Sequence, residues 1–281
     1  MHTLQEIASQ VRRDIVRMVH AVQSGHPGGS LGCTDFLVAL YFKAMQRKSG
    51  FDMDGHNEDV FFLSNGHISP LFYSVLARSG YFPVAELATF RKLNSRLQGH
   101  PATHEHLPGV RIASGSLGQG LSVAAGAALA KKLNGDKSLV YSLHGDGELQ
   151  EGQNWEAIMF AAHHKIDNLI ATIDVNGQQI DGSTKQVMNL GDLRAKWEAF
   201  GWLVLDMDGH NMDEILKTLE DAKAYQASVS SGITGLLLPV YMRVSERTRG
   251  TPSDGESCRR MNITIGCLPS FTRWGYFHRR L

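Results

Sequence analysis

Cysteine is scarce: Cys33, Cys258 and Cys267 are the only three in 281 residues, with no CxxC pair. That excludes a disulfide-stapled scaffold and, with no signal-peptide pattern at the amino terminus, makes a reducing cytoplasm the expected setting. Long hydrophobic runs are missing as well. Ile233–Val240 is far shorter than the about 20 residues a membrane-spanning helix needs, so no membrane is expected. Excess charge is absent, since Lys+Arg and Asp+Glu number 28 each. A pI near 7.2 gives no global reason to expect nucleic acid. There is no internal repeat. Lysine also disappears from Gly232 onward, where eight arginines face three acidic residues, Glu246, Asp254 and Glu256. The segment 241–281 reads as an atypical arginine-rich tail, disordered or frame-shifted in character, behind a domain over 1–240.

Glycine, in contrast, is abundant. The 29 glycines gather at 25–32, 115–126 and 145–152. Such clusters, with Ser and His beside them, point to backbone contact with a ligand, the alternative being tight turns between buried elements. Apolar periodicity predicts helices over Leu4–Val22, Thr34–Met45, Ile68–Arg78, Val84–Leu93, Gly118–Leu133, Gly152–Ala162, Leu190–Phe200 and Met212–Gln226. Short strands are predicted at Val60–Leu63, Leu139–Leu143, Leu169–Ile173, Trp202–Leu205 and Ile233–Val240, with loops at Gln23–Gly32 and Asn94–Ser114. This alternation implies an α/β fold with a largely parallel sheet flanked by helices.

The run Gly145-Asp146-Gly147-Glu148 follows a predicted strand, and Asn176 stands thirty positions after Asp146, past the next one. Ligands of open α/β folds bind beyond such strand ends. A carboxylate and an amide there suit a hard, oxygen-liganded metal such as Mg²⁺ holding a diphosphate. On residue type alone, Asp146 also reads as a helix cap, and Asn176 as a turn residue before Gly177. His100, His104 and His106 invite a zinc reading, but their spacing matches no common site and no cysteine is near. His163 and His164 end a predicted helix, where they suit its carbonyls.

Four separated segments carry a family resemblance: Ser24-Gly25-His26-Pro27-Gly28, Ser64-Asn65-Gly66-His67, Gly115-Ser116-Leu117-Gly118-Gln119-Gly120, and Gly145-Asp146-Gly147 with Asp174-Val175-Asn176. Together they resemble transketolase, more narrowly the amino-terminal subunit of a split transketolase, from about Leu4 to Ser231. The resemblance implies the thiamin diphosphate-binding fold, with thiamin diphosphate and Mg²⁺ (or Ca²⁺ or Mn²⁺) as cofactors. Asp146, Asn176 and the Gln178 carbonyl would ligate the metal, and Gly147 would lie against the diphosphate. Gly115 and Leu117 would line the cofactor. His67 would contact the diphosphate and face the reacting centre. His26 and His100 would bind sugar hydroxyls and assist proton transfer, and Glu151 would couple to the partner's active-site glutamate.

The implied activity moves a two-carbon ketol unit from a ketose phosphate to an aldose phosphate, with the cofactor as electron sink. It needs a pyrimidine-binding domain, which the resemblance assigns to a carboxy-terminal partner subunit in a homodimeric core or two-plus-two assembly. Alone, the chain is expected to be inactive. After Val240 the family's Lys-Thr/Ser, Gly-x-Gly and Trp-His-Gly segments are not found; Trp274 is followed by Gly275. The alternatives are an enzyme resembling 1-deoxyxylulose-5-phosphate synthase, which usually has leucine where Pro27 stands, and a non-catalytic binding or assembly protein.

Overall fold

The computed structural model describes residues 2–229 and 238–243, within the compact unit Met1–Ser245. Among the described residues, five parallel strands make the central sheet: β1 (Val60–Leu63), β2 (Val140–Gly145), β3 (Leu169–Val175), β4 (Leu205–Asp208) and β5 (Leu238–Arg243). They lie side by side in the order β1-β2-β3-β5-β4. The strand expected over Ile233–Val240 is described from Leu238 and runs on to Arg243. The rest of the arginine-rich tail lies outside the described residues.

Strand side chains alternate between faces, and that period divides the core in two. Phe61, Leu63, Tyr141, Leu143 and Ile170 face a cluster with α1 (Leu4–Val22), α3 (Thr34–Ala39) and α4 (Ser69–Arg78). Val60, Phe62, Val140, Ala171 and Ile173 face the other way. There they meet the small residues of α5 (Gly120–Leu133) and α6 (Gly152–His163). A sheet buried on both faces explains why its strands read as largely apolar runs.

Local chemistry sets most helix ends. Thr3 and Glu6 form a reciprocal capping box at the start of α1, the Thr3 hydroxyl accepting from the Glu6 amide and the Glu6 carboxylate from the Thr3 amide. The expected loop Gln23–Gly32 instead contains a short helix, α2 (Pro27–Gly32). Pro27 presets its first turn, although Gly28 and Gly29 obscure the pattern. The helix expected over Val84–Leu93 shrinks to a tight turn over Val84–Thr89. Left-handed backbone at Arg91 (φ 55°) and Asn94 (φ 61°) prevents it from continuing. Beyond α7 (Thr184–Val187), α8 (Leu193–Ala199) leads to Trp202, which was expected to open a strand. Trp202 instead packs perpendicular to Trp197 at 4.7 Å and donates to the Ile158 carbonyl, so β4 starts at Leu205. The last described helix, α9 (Met212–Val229), precedes β5.

His144 on β2 is fully buried, with Nε2 2.8 Å from the Ser142 hydroxyl and no hydrogen-bond partner for Nδ1. Burial pushes its pKa down to about 3. Between an ordinary histidine value and that one, the unfolded chain takes up a proton that the folded chain refuses. Stability is therefore lost as pH falls through this window. Denaturant unfolding at pH 7 and 4.5 is expected to show wild type losing about 2–3 kcal/mol more than His144→Met. Equal losses would mean that His144 is not the acid-sensitive group.

Candidate functional site

The site lies past the carboxyl ends of β2 and β3, where Gly145 is in register with Asp174. The Asp146 amide donates to the Asp174 carbonyl at 3.1 Å, continuing the sheet by one bond. The Asp146 side chain is buried at 3% exposure. Its oxygens accept from the Gly147 amide at 2.9 Å and the Gly177 amide at 2.7 Å. Asp146 therefore reaches the backbone immediately after Asn176. Burial, opposed by the Gly177 amide, pushes its pKa up to about 7. A divalent ion beside such a carboxylate would relieve its desolvation cost.

Asn176 is oriented from both ends of its amide. Nδ2 donates to the Asp174 carboxylate at 2.8 Å and Oδ1 accepts from the Gln178 amide at 2.9 Å. Asp174, buried at 2% exposure, is held with its pKa raised to about 6, chiefly by burial. Gly147 is packed so closely that a Cβ there would lie 2.8 Å from the Gln179 Cβ and 3.5 Å from the Gln178 carbonyl oxygen. Asp146, Gly147, Asn176 and Gln178 thus converge. The left-handed turn residue is Gly177 (φ 71°), and Asp146 also caps the short turn Gly147–Gln150. Carboxylate, amide and carbonyl oxygens form a hard donor set that fits Mg²⁺.

The three histidines come together from three loops. His26 and His67 meet edge to face, with ring centroids 5.3 Å apart. Gly115 lies against His100, where a Cβ would sit 3.0 Å from the ring. Burial, then His26 and His100, lower the His67 pKa to about 4. His26 is lowered by burial, then by His100 and Arg91, and His100 by burial, then by Arg91. Burial thus biases all three toward the neutral form. Leu117 is half-buried and Glu151 is exposed at the start of α6. Glu151 sits against Gly118, where a Cβ would lie 2.7 Å from the Glu151 Cβ.

Glu148 ties these loops together. Its Oε1 accepts from the Ser64 hydroxyl at 2.5 Å and the Gly118 amide at 2.8 Å, and Oε2 from the Gly145 amide at 3.2 Å. The Ser64 hydroxyl in turn accepts from the Gly120 amide at 3.1 Å. Sequence reasoning saw Glu148 only as a neighbour of Asp146, because a buried carboxylate and a surface one look alike in sequence. It also missed Arg91, which sits in an irregular loop with no motif. The zinc reading fails: among the described residues, the three-residue group with metal-ligand spacing is the exposed Asp52, Asp54 and His56. His104 instead faces Glu105 at 3.2 Å. His163 and His164 pack edge to face with each other, 4.9 Å between centroids, and His164 lies 4.3 Å from the Phe160 ring. Among the described residues, no helix is long and apolar enough to cross a membrane.

The chain is 41% identical over 232 residues to the 6-deoxy-6-sulfo-D-fructose transketolase subunit of a Clostridium species, covering 81% of this chain and 82% of that one. It is 40% identical to an apulose-4-phosphate transketolase subunit from Actinobacillus succinogenes, covering 77% and 78%. Among solved structures, the transketolase of Campylobacter jejuni superposes with a TM-score of 0.77 at 33% identity, over 92% of this chain and 42% of its own. The chain thus spans less than half the length of that solved enzyme. The family model for the transketolase thiamine diphosphate binding domain matches residues 3–233, and the chain belongs to the transketolase family.

Proposed function

We propose that this chain is the diphosphate-binding subunit of a two-subunit transketolase that transfers a two-carbon ketol unit between sugar phosphates. The observation that carries the proposal is the convergence of buried Asp146 with Asn176, Gly147 and Gln178 beyond two adjacent strands. Asp146, Asn176 and the Gln178 carbonyl would hold Mg²⁺, and Gly147 would lie against the diphosphate. Thiamin diphosphate, when bound, supplies the electron sink for carbon–carbon cleavage.

His26, His67 and His100 are the groups assigned to the sugar side. Neutral imidazoles both donate and accept hydrogen bonds, so they can orient hydroxyls and carry protons to or from a carbonyl oxygen. Gly115 and Leu117 would line the cofactor, and Glu151 would face the partner. The relatives named as subunits support a paired assembly, because they match this chain over about four-fifths of their length. An apolar groove of about 680 Å³ between α5 and α6, lined by Gly126, Ala157, Met159, Phe160 and His163, runs along the helix that Glu151 precedes. Subunit interfaces cover surfaces of this kind.

The test is reconstitution. This chain mixed with a carboxy-terminal transketolase subunit, thiamin diphosphate and Mg²⁺ is expected to convert a ketose phosphate and an aldose phosphate into the two exchanged sugars. Each component alone is expected to be inactive. Formation of 1-deoxyxylulose 5-phosphate from pyruvate and a triose phosphate, with loss of CO₂, would instead reassign the reaction. Cofactor binding without turnover with any partner would leave an assembly role.

A further inference from the structure

We propose that Arg91 is a positioning residue: it clamps the loop carrying His26 to the loop carrying His100 and sets a fixed positive charge beside both rings. Its Nη1 donates to the Ser24 hydroxyl at 3.0 Å, two residues before His26. Its guanidinium lies flush on Gly99, the residue before His100. A Cβ at Gly99 would come within 2.6 Å of Arg91 Cζ and 2.9 Å of Nε. Nε is buried without a hydrogen-bond partner, so packing is what holds the group there. The Arg91 backbone is left-handed (φ 55°) and its amide donates to the Leu97 carbonyl at 2.8 Å. An uncommon conformation for a non-glycine residue persists only where its surroundings enforce it. The far side of the same loop is anchored to α4, through Tyr73 to the Gln98 carbonyl at 2.9 Å and Ser69 to the Gly99 carbonyl at 2.7 Å.

A guanidinium never loses its charge, and a fixed cation beside an imidazole disfavours protonation of the ring. Arg91 acts in this sense on both His26 and His100. The other titratable groups in this environment are Tyr73, Glu105 and His67, which meets His26. Arg91 and Glu105 act in opposite senses on the Tyr73 hydroxyl, and Glu105 faces His104 at 3.2 Å. Arg91 therefore keeps His26 and His100 able to accept a proton and keeps their loops in register. The importance of this for turnover rests on the assignment of these histidines to the sugar side. The arrangement itself is testable without any reaction.

The experiment is a nuclear magnetic resonance titration of the histidine rings, with hydrogen exchange of backbone amides, on the full chain without partner or ligand. In Arg91→Met, the His26 and His100 midpoints are expected to rise and exchange to quicken over residues 24–28 and 99–101. In Arg91→Lys the charge remains and the fork is lost, so exchange quickens while both midpoints stay low. A folded Arg91→Met chain with unmoved midpoints, or with unchanged exchange, would overturn the proposal. Should Arg91→Met fail to fold, Ser24→Ala reads the clamp from its exposed end. Unchanged exchange over 25–28 in that variant also overturns it. Failed reconstitution with normal titration shifts would sink the functional assignment alone.

Discussion

Asp146→Ala is expected to abolish metal-dependent binding of thiamin diphosphate, by on the order of 100-fold or more, with little change in the folded structure. Changes to the partners of metal ligands already cost about 10–100-fold, and a ligand itself should cost more. The effect on the metal-free fold should be small because two terms oppose each other. The substitution strands the Gly147 and Gly177 amides but removes a buried charge near Asp174. Calorimetry with Mg²⁺ and thiamin diphosphate, paired with thermal unfolding of the metal-free chain, separates binding from folding. Asp146→Asn sharpens the test, since the amide oxygen can still accept from Gly177 while the negative charge is gone. If Asp146→Asn binds as tightly as wild type, the carboxylate is not the metal ligand and the assignment fails.

Glu148→Leu should produce the second large effect, and by a different route. It removes the acceptor shared by the Ser64 hydroxyl and the Gly118 and Gly145 amides, all in a buried setting. Each stranded donor costs about 1–3 kcal/mol, so a loss of about 3–5 kcal/mol in unfolding free energy is expected. Gln at this position keeps the volume, but its NH₂ cannot accept from the Gly145 amide that Oε2 now serves. Glu148→Gln should therefore fall between wild type and Leu. The structural consequence falls on the site, because Ser64 and Gly118 belong to the loops that carry His67 and Gly115. Binding of the cofactor and metal should weaken along with stability in both variants. In Asp146→Ala, by contrast, binding is lost without the fold. A Glu148→Leu chain as stable as wild type would show that these loops are tied by something else.

Much of the architecture was legible because its physical causes are local. The α1 face of Val11, Ile15 and Met18 repeats at the helical period and is buried as that period demands. The runs Val60–Leu63, Val140–Leu143 and Leu169–Ile173 are apolar on both alternating faces, because helices cover the sheet from both sides. Where expectation and structure part, the reason is also physical. Pro27 starts a helix that the next two glycines disguise, and Trp202 is spent on packing against Trp197 rather than on a strand. Sequence by itself determined the α/β class, the strand ends on which Asp146 and Asn176 sit, and the family through its motifs. Those are properties of periodicity and of short glycine-flanked segments.

Only tertiary structure decided which loops meet. It placed His26 against His67, set His100 on Gly115, buried Glu148 among donors from two loops and the end of β2, and lodged Arg91 between Ser24 and Gly99. Two of the Glu148 contacts join residues 30 and 84 positions apart, and nothing in a carboxylate's neighbours in sequence records whether it will face water or three buried donors.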